Sequence, residues 1–114
     1  MSLIYKIVSS AQWREAQEAG VFHGAPVDLA DGYIHFSTAA QAEETAAKHF
    51  AGQNDLLLVA VDAQTLGDAL KWEVSRDGAL FPHLYAALPT TAALRVDPLP
   101  RDADGRHDFS GLLT

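Results

Sequence analysis

The sequence predicts an α+β fold in which two helices pack on a bent or split, mostly antiparallel sheet. Two helical patterns in the first half each follow a short strand pattern, whereas the second half is rich in strand patterns. This order argues against the strict alternation of strands and helices that forms a doubly wound parallel sheet. No internal repeat or low-complexity tract is visible, so one compact domain is expected.

The first predicted strand leads directly into the first predicted helix. Residues 3–8 are rich in β-branched and aromatic side chains, which favours a strand. Ser9 and Gln12 have the spacing of a capping box, and good helix formers follow them. Gly20 is placed to end this helix, which we predict over residues 11–19.

A loop, a second strand and a second helix are predicted next. Residues 21–32 contain glycine, proline and aspartate without a clear period, which is typical of a loop. Residues 33–37 alternate between apolar and polar side chains and predict a strand. Thr38 and Gln41 repeat the capping-box spacing, and apolar residues at near-helical spacing predict a helix over residues 39–50.

The second half is predicted to supply a central strand and a hairpin. Residues 56–61 are apolar on both faces, as in a strand that is covered on each side. They are therefore the strongest core candidates in the chain. Residues 70–75 and 80–88 flank a short turn at residues 76–78 that contains Asp-Gly, and this pattern predicts a hairpin.

The chain is predicted to end in a strand and a loose tail. Residues 92–96 can form a last strand before Pro98 and Pro100, because proline cannot donate to a sheet ladder. The polar, glycine-containing segment 101–108 that follows is typical of a tail. We therefore predict a single domain over residues 1–100 and a C-terminal tail over residues 101–114.

Composition excludes several classes of protein. Fifteen acidic and eight basic residues give a formal net charge of −7, so nucleic-acid binding is not expected. The chain has no cysteine, so neither a disulfide nor a thiolate nucleophile is available. The early apolar run over residues 3–8 is interrupted by Lys6 and is too short for a signal-peptide core or a membrane span. We expect a cytoplasmic protein that does not enter a membrane.

Strand alternation places polar side chains of the second strand on one face. Ile34 and Phe36 share the face that should point to the core. Tyr33, His35 and Ser37 then share the opposite face. An imidazole, a phenol and a hydroxyl are therefore expected together outside the core.

The same argument applies to the hairpin that follows. Leu84 can point to the core while His83 and Tyr85 point away from it, and Glu73 takes the face opposite Trp72. Three strands could thus place two imidazoles, two phenols and a carboxylate around one cleft. Trp72, beside Glu73, could form a wall of this cleft or serve as a core anchor like Trp13.

Structural roles are the alternative for each of these residues. A histidine within an apolar strand is often a hydrogen-bonded structural residue, and this alternative applies to both His35 and His83. Glu73 could be a solvated strand residue paired across the hairpin. Ser37 and Thr38 could do no more than cap the following helix.

Metal and serine-hydrolase chemistry have little support in the sequence. Two histidines and a carboxylate could hold a metal ion, but no His-x-His or His-x-x-x-His spacing occurs. Ser37 lacks the flanking glycines of a nucleophile elbow. No glycine-rich phosphate loop is present either. We therefore predict neither a metal site nor a bound cofactor.

Three motifs carry a resemblance to a known family. They are Asp31-Gly32-Tyr33-Ile34-His35-Phe36-Ser37-Thr38, Leu70-Lys71-Trp72-Glu73 and Phe81-Pro82-His83-Leu84-Tyr85. In these motifs, and over residues 4–96 as a whole, the chain resembles the bacterial domain-of-unknown-function 952 family. That family looks like a compact member of the ADP-ribosyltransferase fold, a split and strongly bent sheet with NAD held in a cleft between its halves.

The resemblance implies roles for individual residues. Glu73 looks like the catalytic glutamate that orients a ribose hydroxyl and stabilises an oxocarbenium-like centre as nicotinamide leaves. The segment 36–38 looks like the strand motif whose serine, here Ser37, supports that glutamate. The strand around His35 is similar to the histidine-bearing strand of RNA 2′-phosphotransferases. Lys6 stands where the first strand of active relatives offers an arginine or histidine to the dinucleotide.

Two functions are consistent with these residues. The first is an enzyme acting on NAD or a related ribose-phosphate ligand, either ADP-ribosyltransferase-like or 2′-phosphotransferase-like, with NAD as substrate. Glu73, His35 and His83 would then be catalytic. The ligand would be held by the side chains of Tyr33, Ser37, Thr38, Trp72, Tyr85 and Lys6. The alternative is a non-catalytic domain that binds a small nucleotide-type ligand or a protein.

Overall fold

The computed structural model describes residues 1–75 and 78–113, which contain three α-helices and eight β-strands. In chain order these are β1 (Leu3–Ser9), α1 (Ser10–Ala19), β2 (Val21–Phe22), α2 (Pro26–Asp31), β3 (Ile34–His35), α3 (Ala39–His49), β4 (Leu56–Asp62), β5 (Leu70–Val74), β6 (Leu80–Leu84), β7 (Leu88–Pro89) and β8 (Ala93–Leu99). Short 3₁₀ segments precede β5 and β8. Among the described residues, no helix is long and apolar enough to cross a membrane.

The strands form two three-stranded sheets and one small pair, and every pairing is antiparallel. One sheet has the order β1-β4-β8 and the other the order β3-β6-β5, while β2 pairs with β7. The two larger sheets meet where Tyr5 and Ser37 exchange main-chain hydrogen bonds of 2.7 and 2.8 Å. The predicted α+β class with mostly antiparallel sheets is confirmed.

The central strand β4 separates two apolar clusters, because its side chains alternate between the two faces of its sheet. One cluster contains Val59 and Val61 together with Trp13 and Ala16 of α1. The other contains Leu58 and Ala60 of β4, Ala42 and Ala46 of α3, and Phe109. The residues predicted to face the core are buried: Ile34, Phe36 and Leu84 lie in the first cluster, and Leu58 and Ala60, from the predicted central strand, lie in the second.

Helix capping follows the sequence pattern at α1 and α3. Oγ of Ser9 accepts the N–H of Gln12 at 3.0 Å, and the Gln12 side chain accepts the N–H of Ser9 at 3.1 Å. Gly20 ends α1 in the left-handed conformation, with φ of 85°. At α3 the Gln41 side chain accepts the N–H of Thr38 at 3.0 Å. Both predicted helices are confirmed.

The prediction of a loop over residues 21–32 is wrong. This segment contains β2 and an additional helix, α2. The structure therefore has three α-helices in its described residues, and the prediction of two is also wrong. The six residues of α2 are too few to show a helical period. Pro26 starts the helix and Gly32 ends it, with φ of 89°.

The lengths of three strands differ from the prediction. β3 spans only Ile34–His35, and the segment predicted over residues 80–88 breaks into β6 and β7. β8 continues through Pro98 to Leu99, so Pro98 does not stop it. Because β8 is an edge strand, a residue without an N–H costs it no ladder bond on the open side. The β5–β6 hairpin pairing is confirmed, while residues 76 and 77 of its predicted turn lie outside the described residues.

The C-terminal segment packs against the body of the protein, in contrast to the loose tail expected from its composition. Phe109 is buried, and the N–H of Asp108 donates to the carbonyl of Pro100 at 2.7 Å. Nε of Arg101 donates to Asn54 at 2.8 Å. Phe109, together with the partly buried Leu112 and Leu113, provides apolar contacts that hold this segment.

Candidate functional site

A cavity of 520 Å³ lies where the two three-stranded sheets part. β1 borders it on one side with Lys6 and Ile7, and β3 and β6 border it on the other with His35 and His83. The first residues of α2 and part of α3 complete the lining. The prediction that His35 and His83 border one cleft from neighbouring strands is confirmed.

Four rings form an aromatic cluster beside this cavity: Tyr33, His35, His83 and Tyr85. His35 and His83 are directly opposite each other in the β3–β6 ladder, with ring centroids 5.5 Å apart. The Tyr33 ring stacks on His83 at 4.2 Å and lies 4.6 Å from His35. Tyr85 lies 5.2 Å from Tyr33. Strand alternation therefore brings together the rings expected from the sequence.

Glu73 joins the aromatic cluster through its carboxylate. Oε1 accepts the hydroxyl of Tyr85 at 2.7 Å and lies 2.8 Å from Nδ1 of His83. The bonds from Tyr85 and His83 hold the pKa of Glu73 below its usual range. In turn, the Glu73 carboxylate and the cost of burial raise the pKa of Tyr85 to about 12. An ionised carboxylate only accepts, so Nδ1 of His83 carries a proton in this contact.

Asp28 on α2 is a buried acidic residue of the site. Its side chain is 1% exposed, and Oδ2 accepts the N–H of Ala25 at 2.7 Å. Oδ1 accepts Nζ of Lys6 at 3.0 Å and lies 2.6 Å from Nδ1 of His35. Burial alone would raise the pKa of Asp28. The bond from His35, the charge of Lys6 and the Ala25 N–H outweigh this effect and lower the pKa from 3.8 to about 2.

Lys6 and His35 are both engaged by acidic side chains. Lys6 is buried, which lowers its pKa, and the Asp28 carboxylate opposes that shift. The second ring nitrogen of His35, Nε2, lies 2.9 Å from Oδ2 of Asp31. The His35 ring therefore lies between two carboxylates, those of Asp28 and Asp31.

Asp28 also explains why the sheets part at this point. The N–H of Ser37 donates to the carbonyl of Tyr5, and main-chain direction alternates along a strand. The N–H of His35 therefore faces β1 as well. It donates instead to Oδ1 of Asp28 at 3.1 Å. The carboxylate thus replaces a β1 partner, and Ile7, two residues beyond Tyr5, lines the cavity.

The other predicted ligand-binding residues have different surroundings. Ser37 lines the cavity, and its Oγ lies 3.0 Å from Oγ1 of Thr45. Thr38 is the N-cap residue of α3, which is the structural alternative given for it above. Trp72 lies on the face of β5 opposite Glu73, is 45% exposed and does not line the cavity. It is not a core anchor, whereas Trp13 is buried in the first cluster.

Neither Asp28 nor the contact of Asp31 with His35 was predicted from the sequence. Both residues lie in the segment that was predicted to be a loop. Without α2 in the prediction, the positions of their side chains could not be expected. The one local signal was a proline followed two residues later by an aspartate, which is the start of a short helix. Within residues 1–75 and 78–113, no group of three or more histidine and acidic side chains is arranged to hold a metal ion.

Comparison with known proteins shows a family without assigned chemistry. The chain shares 53% identity with protein CC0527 from Caulobacter crescentus, over 98% of each chain, and its crystal structure superposes with a TM-score of 0.95. The solution NMR structure of CC0527 matches with 54% identity over 96% of this chain and 95% of that chain, with a TM-score of 0.87. No curated protein matches the sequence. Residues 7–96 match the family described as "Protein of unknown function (DUF952)", and the chain belongs to this family.

Proposed function

We propose that the cavity binds a nucleotide-type ligand and that the protein cleaves the glycosidic bond of NAD or of a related ribose-phosphate compound. The observation that carries this proposal is the position of the Glu73 carboxylate, held by Tyr85 and His83 at the edge of the aromatic cluster. A fixed negative charge in this position suits a reaction in which positive charge develops on a sugar.

The chemistry would centre on the ribose C1′ atom. Its bond to the nicotinamide nitrogen breaks, and the electron pair leaves with nicotinamide, which becomes neutral. Positive charge then develops at the ribosyl centre, close to the ionised Glu73. An oxygen of water or of an acceptor hydroxyl bonds to C1′ and loses its proton. Nε2 of His83 would accept this proton, since Nδ1 is engaged by Glu73.

The aromatic cluster would bind the flat ring of the ligand. Tyr33 already stacks on His83, and the exposed ring of Tyr85 lies next to it. Stacking on aromatic faces is favourable for any planar base. The split between two antiparallel sheets, with a cavity at the split, supports the further proposal that the fold is ADP-ribosyltransferase-like.

The test compares NAD cleavage by the wild type with cleavage by Glu73→Gln, which keeps the shape of the side chain and removes its charge. We expect retained folding and ligand binding, with cleavage lower by about a hundredfold or more. Glu18→Gln is the matched control, because Glu18 is exposed on α1. Cleavage by Glu73→Gln at the wild-type rate would contradict the role of Glu73.

A second function is favoured by the contacts of Asp28. Asp28 neutralises Lys6 and contacts Nδ1 of His35, so both side chains already have an acidic partner in place of a phosphate. This arrangement suits a domain that binds a small ligand without cleaving it. NAD or ADP-ribose at a hundred times its Kd would then stabilise the fold by about 2.7 kcal/mol in a thermal-shift assay, without release of nicotinamide.

A further inference from the structure

The outer strand β5 presents an apolar surface at an open sheet edge. Among the strands of residues 1–75 and 78–113, it pairs only with β6, in the order β3-β6-β5. Trp72 is 45% exposed, and Val74 and its cross-strand neighbour Leu80 are 68% and 52% exposed. Exposed edge strands are usually short, charged or covered, because their free main-chain groups can pair with another strand. An edge with three large apolar side chains is therefore expected to have a partner.

The main chain of β5 is oriented for such pairing. Tyr85 donates to the carbonyl of Ala69 at 2.8 Å, and Ser75 donates to the carbonyl of Ala79 at 2.9 Å. Ala69 and Ser75, which flank β5, therefore direct their main-chain groups toward β6. Because this direction alternates along a strand, the main-chain groups of Leu70, Trp72 and Val74 point to the open side.

The sequence of β5 is complementary to itself. In Leu70-Lys71-Trp72-Glu73-Val74, an antiparallel pairing centred on Trp72 places Trp72 opposite Trp72. Lys71 of each copy then lies opposite Glu73 of the other copy, and the apolar residues at the two ends of the strand also meet. Opposite charges directly across an antiparallel pair are favourable, whereas like charges are unfavourable.

We propose that β5 is a homodimer interface, in which two copies join their β3-β6-β5 sheets into one six-stranded sheet about a two-fold axis at Trp72. Such an interface is isologous, so one surface serves both subunits. Trp72, Val74 and Leu80 cover one face of the junction. On the other face, Lys71 of the second copy approaches Glu73.

This arrangement would also supply a basic side chain at the candidate site. Lys71 and Glu73 lie on the same face of β5 as the paired residues His83 and Phe81, both of which line the cavity. Each site of the dimer would thus gain the Lys71 ammonium group of the second copy. The dimer itself does not depend on the proposed enzymatic function, because its evidence lies in the β5 edge.

The mass of the protein in solution, measured by sedimentation velocity over a range of concentrations, tests the proposal. The wild type is expected to form a dimer with a Kd between about 1 μM and 1 mM, because the interface is small. Lys71→Glu places glutamates opposite glutamates and should raise the Kd about tenfold or more. Glu73→Lys should do the same with lysines. Mixing the two variants should restore a dimer of one copy of each.

Two controls keep the result interpretable. Arg14→Glu also reverses a basic charge, at an exposed position on α1, and should leave dimerisation unchanged. Circular dichroism checks that each variant is folded. If Glu73→Lys does not fold, Lys71→Glu alone tests the interface. High salt should then lower the Kd of the Lys71→Glu dimer, because salt screens the repulsion between the glutamates. A wild type that stays monomeric up to about 1 mM, or a dimer that Lys71→Glu leaves intact, would overturn the proposal.

Discussion

Gly24 lies so close to Asp28 that a Cβ atom at position 24 would stand 2.8 Å from the Cβ of Asp28. The backbone at Gly24 also has φ of 124°, a conformation that side chains of L-residues rarely adopt. Both facts restrict position 24 to glycine. Glycine at position 24 therefore leaves room for the side chain of Asp28, which contacts Lys6 and His35 in the split between the sheets.

Gly24→Ala is therefore expected to lower the free energy of unfolding by about 1–3 kcal/mol more than a glycine substitution without a steric conflict. Gly52→Ala is the matched control, because Gly52 also has positive φ but its added Cβ would meet no atom within 4 Å. Urea denaturation measures both changes. Equal losses of stability in the two variants would show that the contact with Asp28 does not restrict position 24.

Asp28→Asn should be strongly destabilising, because it leaves Lys6 buried without its counter-charge. The expected loss of unfolding free energy is about 3–5 kcal/mol. Asp31→Asn also removes a carboxylate beside His35, but Asp31 is half-exposed and its loss should cost much less. Chemical denaturation of the three proteins at neutral pH gives the comparison. A loss at Asp28 no larger than that at Asp31 would contradict the importance of the buried pair.

The same carboxylate should make stability depend on acidity. The pKa of Asp28 is about 2 in the fold against an ordinary value of 3.8, so its contribution is complete above pH 3.8 and disappears as the pH falls toward 2. This difference in pKa corresponds to about 2 kcal/mol. The free energy of unfolding, measured between pH 5 and pH 2, should fall more steeply in the wild type than in Asp28→Asn. Parallel pH profiles of the two proteins would contradict this contribution of Asp28.

Phe36 and His35 are neighbours in sequence with different expected effects. Phe36 is buried in the first apolar cluster, so Phe36→Ala should cost about 3–5 kcal/mol through cavity formation. The His35 ring is 31% exposed at the cavity, and His35→Gln keeps a group that can donate to Asp28. The loss of unfolding free energy in His35→Gln should therefore be clearly smaller than that in Phe36→Ala. Similar, severe losses in a denaturant titration would mean that His35 is a structural residue only.

Tyr85 provides a spectroscopic test of its bond to Glu73. The carboxylate raises the pKa of Tyr85 from 10.0 to about 12, chiefly because ionisation of the phenol would break the hydrogen bond that it donates to Glu73. Glu73→Gln should lower this pKa toward its ordinary value. Phenolate absorbance as a function of pH measures the shift, and Tyr85→Phe identifies the signal. An unchanged titration of Tyr85 in Glu73→Gln would rule out the bond in solution.

Local patterns in the sequence are enough to predict most of the secondary structure. Ser9 and Gln12 cap α1 because a capping box needs only residues three apart. Alternation along strands predicted that His35 and His83 face one cleft, since side-chain direction follows from strand geometry alone. The strand pattern over residues 56–61 identified the central strand β4 for the same reason.

Tertiary structure alone decided where the charges of the site lie. Lys6 and Asp28 are 22 residues apart and on different elements, and no local period links a six-residue helix to a strand. The side chain of Trp72 alternates with Glu73 as expected, but its exposure depends on which strands surround β5. Pro98 fits in β8 only because that strand is at an edge. Local backbone geometry determines which way each side chain points, whereas burial and ion pairing depend on contacts between segments that are distant in the sequence.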